Sequence, residues 1–254
     1  MAWEATHTLP ITVGPPVPAA RADAIGAALL RRAVPLARID AGRLEPLATA
    51  ALVHDGGHFG LLTAAHIFDG VQSGDIAVPL PRDGRLAPLR FVCVTVVAHA
   101  HSDLAIVWID DRSLAKRLCA NWQASPIDDW TMAGSLASTY VLVGYPACNA
   151  RRIDGRVYSK PLILFTGPVD AQRYIYARTA QRIDGETIWT PELDGVSGAT
   201  LWSINDEGDD GITCVLRPAA IQVAFLHSAH LRAESMQLMG ELLRSSVARR
   251  RRHA

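Results

Sequence analysis

The stretch "LDGVSGATLWSI", residues 193 to 204, sets a serine between two glycines and then runs straight into apolar residues. Glycine adopts backbone angles closed to other residues, so Gly195 and Gly198 loosen the chain on either side of Ser197. A surface turn needs no such arrangement before a buried strand, whereas a nucleophile does. The residues that follow bear on the fold. "ATLWSINDEGDDG" (199 to 211) reads as a strand and then a polar turn, so Ser197 does not sit on a turn from strand into helix.

Outward from this loop the second half of the chain is a series of short apolar or alternating runs. They are "TYVLVGYP" (139 to 146), "RVYSKPLILFTGP" (156 to 168), "RYIYARTAQRI" (173 to 183), "GITCVL" (211 to 216) and "IQVAFL" (221 to 226). The first half repeats the rhythm with "LARID", "LATAALV", "FGLLTAA", "IAVPL", "RFVCVTVVAH" and "DLAIVWI" between residues 36 and 109. Turn signals such as "HDGGH" (54 to 58), "DGVQSGD" (69 to 75) and "PRDGR" (81 to 85) separate them, as expected of antiparallel all-β structure. "DRSLAKRLCANWQASPIDDW" (111 to 130) is mixed in character and is the linker candidate, with room for a helical turn or two.

The ends differ. Pro10, Pro15, Pro16 and Pro18 make residues 1 to 18 an extended arm rather than a regular element. "ARADAIGAALLRRA" (20 to 33) has helical spacing, ended by Pro35. "ESMQLMGELLRSSVARR" (234 to 250) places Met236, Met239, Leu242 and Leu243 on one face and predicts a helix docked on the body. "RRRR" (249 to 252) reads as a solvated tail, with no aromatic residues interleaved for nucleic acid. The predicted organisation is an arm and short helix over 1–34, a first β unit over 35–125, a second over 126–233, and a terminal helix and basic tail over 234–254.

Of the 254 residues, 49% are hydrophobic and 20% charged, with Lys+Arg 25 against Asp+Glu 25. That balance implies a soluble globular chain and neither a nucleic-acid nor a membrane partner. The N-terminus lacks the pattern of a secretory signal, and Cys93, Cys119, Cys148 and Cys214 lie far apart with no CxxC spacing. Reduced thiols and a cytoplasmic location are the expectation.

Two further motifs carry chemistry. "GLLTAAHIFDG" (60 to 70) places His66 where an apolar strand ends, and "HSDLAIVWID" (101 to 110) places Asp103 at the head of another. A carboxylate there is buried cheaply only if something donates hydrogen bonds to it. An imidazole N–H is such a donor, and an Asp that holds a His in one tautomer lets a serine lose its proton during attack. His54 and His58 are four apart, but the two glycines of "HDGGH" make a hairpin turn, with no helix to align them on zinc.

The chain order His66, Asp103, Ser197 resembles that of trypsin-like (chymotrypsin-fold) serine peptidases, and α/β-hydrolases run in the opposite order. "LTAAH" resembles the histidine motif of that family, "SDLAIV" its aspartate motif, and "DGVSGATLW" a variant of its serine motif, over roughly residues 35 to 230. The resemblance implies two six-stranded antiparallel β-barrels with a C-terminal helix, with the site in the cleft between them. It implies a serine endopeptidase with His66 as general base, Asp103 as its orienting partner, Ser197 as the acylated nucleophile and the N–H groups of Gly195 and Ser197 as oxyanion hole. No metal or cofactor is required.

Some positions depart from the family. Val196 stands where secreted, zymogen-activated members carry an aspartate, which implies a bacterial-style intracellular member without that switch. Ala199 replaces a glycine. Pro191 replaces the acidic residue that selects basic side chains in trypsin, leaving Glu192 or Asp194 as nearby charges and Val223, Ala224 and Phe225 as the facing wall of the substrate pocket. The expected partners are a protein or peptide substrate and a regulatory protein. The alternative from a different class is a peptidase-fold module that binds an extended protein segment without turnover.

Overall fold

The computed structural model describes residues 12–40, 43–80, 85–90, 92–131, 137–153, 156–170, 175–177, 179–183, 186–188, 192–206, 214–226 and 230–253. Two curled, mainly antiparallel sheets dominate it. The first is built from β1 (Ala33–Asp40), β2 (Arg43–Asp55), β3 (His58–Ala64), β4 (Ile76–Leu80), β5 (Arg85–Pro88), β6 (Val94–Ala98) and β7 (Leu104–Ile109). Their order across the sheet is β5-β4-β1-β2-β3-β7-β6, and Ser125–Pro126 adds a short eighth strand parallel to β2. The second contains β8 (Tyr140–Gly144), β9 (Leu162–Thr166), β10 (Pro168–Asp170), β11 (Ile175–Ala177), β12 (Thr200–Asp206), β13 (Cys214–Leu226) and β14 (His230–Ser235). Its order is β9-β8-β12-β13-β14-β11-β10.

Curling follows from strand length and bulges. The pairing of β1 with β2 slips at Leu36/Ala37, that of β12 with β13 at Leu201/Trp202, and that of β13 with β14 at Gln222/Ala224. An extra residue bends its strand and deepens the local twist, so the 13-residue β2 and β13 wrap rather than lie flat. The strands of the all-β expectation are therefore present, gathered in two sheets as a double barrel with a C-terminal helix requires. The short strand at Ser125–Pro126 brings the first sheet to eight strands, and the second has seven among the described residues.

Helix α1 (Ala19–Leu30) buries Ala22, Ile25 and Leu29. It ends at Leu30, and a turn through Arg31 and Arg32 leads directly into β1. Pro35 therefore lies inside a strand and does not terminate the helix. It is tolerated because β4 pairs with β1 only at Ala37 and Arg38, so Pro35 faces no ladder on that side. The proline-rich arm also holds a strand, Thr12–Val17, which pairs in parallel with 179–183 and shifts register between Val13 and Pro16. Residues 1 to 11 of that arm lie outside the described residues.

The connector forms α2 (Arg112–Asn121), longer than the turn or two predicted. Asp111 caps it by accepting from the N–H groups of Ser113 and Leu114. A single turn at Asp128–Thr131 sets fully buried Trp130 edge-on to Trp202 of β12, with ring centroids 5.9 Å apart. Arg32 covers Trp202 from 5.3 Å and donates to Ser125 Oγ at 3.0 Å, so the turn after α1, the connector and the second sheet meet at one place.

Helix α3 (Met236–His253) begins where β14 ends and buries Met236, Met239, Leu242 and Leu243 in the core shared with the first sheet. The backbone of 249–252 continues this helix. The four cysteines form no disulfide. No helix among the described residues is long and apolar enough to cross a membrane.

Candidate active site

His66 and Asp103 are brought to one end of the first sheet by the pairing of β3 with β7. Ala64 lies opposite Leu104, and the Ala65 N–H donates to the Asp103 carbonyl at 3.2 Å. His66 then opens a one-turn 3-10 helix (His66–Phe68) anchored by buried Ile67. The Asp103 carboxylate grips His66 at two points. Oδ1 accepts from the His66 backbone N–H at 2.8 Å, and Oδ2 lies 2.6 Å from Nδ1. A carboxylate only accepts, so the shared hydrogen belongs to Nδ1 and the Nε2 lone pair is left for another partner.

The pair is not interior. The His66 side chain is 43% exposed and that of Asp103 29%, so water screens their attraction. The carboxylate is held at the rim by hydrogen bonds rather than by burial.

The serine loop runs from Leu193 to Ala199 as two successive turns, closed by Val196 N–H to Leu193 at 3.0 Å and Ala199 N–H to Val196 at 2.9 Å. Leu193, Val196 and Ala199 point into a second apolar cluster with Tyr140, Leu142, Leu164 and Leu201. Val196 is 0% exposed, and no carboxylate could be desolvated there cheaply. Both glycines have positive φ, +89° at Gly195 and +85° at Gly198. Space forbids a side chain as well: a Cβ on Gly195 would lie 2.8 Å from the Tyr145 carbonyl oxygen and 3.0 Å from the Ala147 nitrogen.

The loop belongs to the second sheet but is pinned by the first. Thr49 of β2 donates its N–H to the Ser197 carbonyl at 2.8 Å and its hydroxyl to the Gly195 carbonyl at 3.1 Å. The same Oγ1 accepts the Tyr145 N–H at 3.0 Å, and Thr63 Oγ1 donates to the Thr49 carbonyl at 2.8 Å. On the other side, Gly198 N–H donates to the Gln222 carbonyl at 2.7 Å and Gln222 N–H to the Ala199 carbonyl at 2.8 Å. A Cβ on Gly198 would come 3.0 Å from the Ala64 nitrogen, which places the loop against the end of β3 that carries His66.

Each carbonyl of the loop named here is satisfied, while the N–H groups of Gly195 and Ser197 donate to no described residue. Ser197 Oγ makes no hydrogen bond to His66 among the described residues. The loop thus offers one hydroxyl and two unused donors at the rim where the His66–Asp103 pair stands.

Of the predicted pocket, Pro191 lies outside the described residues, as does the side chain of Phe225. Glu192 and Asp194 are exposed, their carbonyls engaged by Cys148 Sγ at 3.2 Å and Ala147 N–H at 2.6 Å. Val223 packs in the core shared with the first sheet, and Ala224 is half-buried. Thr49, Thr63 and Gln222 escape a reading of the sequence. The threonines carry no signal in their β-runs, whereas Gln222 stands out as the lone polar residue in "AAIQVAFL" (219 to 226).

No protein family model matches the sequence, and no curated protein does. Solved structures do match. An inactivated protease paralogue of the scabies mite is similar over 87% of this chain and 95% of its own, with 11% identity and a TM-score of 0.52. A thermostable serine protease from an extremophilic microorganism is similar over 83% of this chain and 96% of its own, with 12% identity and a TM-score of 0.47. At such identity the likeness concerns architecture alone. The chain has a chymotrypsin-like double-barrel fold with an added C-terminal helix.

Proposed function

We propose that this chain is a serine endopeptidase that hydrolyses peptide bonds through an acyl-enzyme. The observation that supports it most is the two-point grip of Asp103 on His66, which leaves Nε2 as the only ring nitrogen able to take a proton. In this reading Ser197 Oγ attacks the carbonyl carbon of an extended peptide and passes its proton to Nε2. The negative charge gathers on the carbonyl oxygen, where the N–H groups of Gly195 and Ser197 meet it. His66 returns the proton to the leaving amine, and water repeats the sequence to release the acid and restore Ser197. Asp103 fixes the ring and offsets the charge of the transient imidazolium.

Val196 adds a point about control. With an apolar side chain sealed in the core at position 196, no buried carboxylate stands there for a newly cut N-terminus to engage, and the proposed activity does not depend on such a cut.

A sulfonyl fluoride or organophosphonate tests the reading. Ser197 of the folded chain should be labelled and recovered in a single modified peptide, with labelling abolished by Ser197→Ala. A folded chain that does not react would refute it. The lack of a Ser197–His66 hydrogen bond is the observation that favours a second reading, a module that binds an extended segment without turnover. In that case Ser197→Ala would keep both binding and biological effect.

A further inference from the structure

We propose that the cleft where β1 and β4 part is a binding site for a small uncharged aromatic molecule, one or two fused rings with a single hydrogen-bonding group, the chemistry of an indole or a phenol.

The cleft follows from the sequence. β4 pairs with β1 at Ala37–Ala77 and Arg38–Ile76, and the same register carried on would set Pro35 against Pro79. Neither proline has an N–H to offer a ladder, so the pairing stops there. A cavity of about 240 Å³ opens at that point, with Leu36, Ala37 and Pro46 in its walls beside the two prolines. Trp122 of the connector and Tyr145 and Pro161 of the second half line it as well, so it lies where both halves and their connector meet. Junctions of that kind are favoured places for small ligands. His66, Asp103 and Ser197 are not among its lining residues, and the inference stands apart from the peptidase reading.

Size and charge narrow the guest. An apolar cavity of about 150 Å³ holds a benzene ring, so this one has room for a second ring or a short substituent. No lining residue carries a charge, and burial raises the Tyr145 hydroxyl above the ordinary tyrosine value, so it keeps its proton at neutral pH. An ionised guest would leave water without gaining a partner of opposite charge. The rings of Trp122 and Tyr145 and the flat faces of the prolines suit a planar guest.

Ser159 supplies a polar anchor in the same lining. The residue is half-buried, yet its Oγ is shielded from solvent and has no hydrogen-bond partner among the described residues. Buried hydroxyls are nearly always paired, and a guest with an N–H or O–H supplies the missing bond.

The test titrates the full chain by calorimetry with indole, with toluene, which has no hydrogen-bonding group, and with the ionic probes benzoate and benzylammonium. Indole should bind at one site with a Kd of about 1 mM or tighter, as its size allows, and the ionic probes about tenfold or more weakly. Ala37→Leu places a larger side chain in the cavity wall and should abolish indole binding. Ser159→Ala removes the hydroxyl alone, and should weaken indole by about twofold to tenfold while leaving toluene unchanged. If Ala37→Leu does not fold, as judged by circular dichroism, Ser159→Ala decides the question. No binding of indole at millimolar concentration, equal affinity for benzoate, binding that survives Ala37→Leu in a folded chain, or an equal effect of Ser159→Ala on indole and toluene would overturn the inference.

Discussion

Replacing Gly198 by alanine isolates the contact on which the serine loop is seated. The natural control is Gly57, in the hairpin between β2 and β3. Its φ is +92° against +85° at Gly198, but a Cβ there would meet nothing within 4 Å. Each alanine is forced into the left-handed region at a cost of about 1–2 kcal/mol. At Gly198 the added methyl would also overlap Thr63 Oγ1 and the Thr49 carbonyl oxygen, neither of them the end of a flexible chain. Overpacking of that kind costs about 1–3 kcal/mol more. With a urea dependence of about 2–3 kcal/mol per molar, Gly198→Ala should lower the unfolding midpoint by roughly 0.3–1.5 M beyond Gly57→Ala. If the loop instead lifts away to make room, stability is spared but Ser197 moves with it, and sulfonyl fluoride labelling slows sharply. Both variants should therefore be unfolded in urea and labelled in parallel. A Gly198→Ala protein with the midpoint of Gly57→Ala and an unchanged labelling rate would refute the account of how the loop is held.

Other expectations follow from the same contacts. Asp103→Asn should leave the fold intact and slow labelling of Ser197 by on the order of 10³–10⁴, because an amide can no longer hold the proton on Nδ1; an unchanged rate would remove Asp103 from the site. Thr49→Val keeps shape but leaves the Tyr145 N–H and the Gly195 carbonyl without their partner, and should cost about 1–3 kcal/mol in urea unfolding. Val196→Asp places a carboxylate in a fully buried apolar site and should lower the thermal midpoint by many degrees, with partial recovery at acid pH where the carboxyl is neutral. Burial raises the Tyr145 hydroxyl above the ordinary tyrosine value. The folded state thus keeps that proton longer than the unfolded one, and stability is lost as pH rises past the unfolded tyrosine value. Alkaline unfolding curves of Tyr145→Phe should lack this part of the loss.

The placement of His66 and Asp103 was legible because it is local. Each sits at the end of a largely apolar run, and antiparallel pairing of β3 with β7 brings the two ends together. The C-terminal helix was legible for the same reason, since its four buried residues recur at helical spacing. What was hidden depends on pairings remote in sequence. Thr49 is one threonine among many until β2 passes beneath the serine loop. The strand at Thr12–Val17 is masked by its prolines and acquires an identity only from a partner at 179–183. Pro35 looked like a helix stop because nothing local says that β1 lacks a neighbour on that side.

Thr49 has a consequence for the construction of the whole molecule. It holds Ser197 and Gly195 through its own N–H and hydroxyl, so the hydroxyl of one sheet is aimed by a strand of the other. In the proposed peptidase, neither half alone would hold a finished reactive centre. Co-expressed as two separate polypeptides cut within 132–136, they should stay silent toward a fluorescent phosphonate until they dock, and then report their union by turning covalently bright.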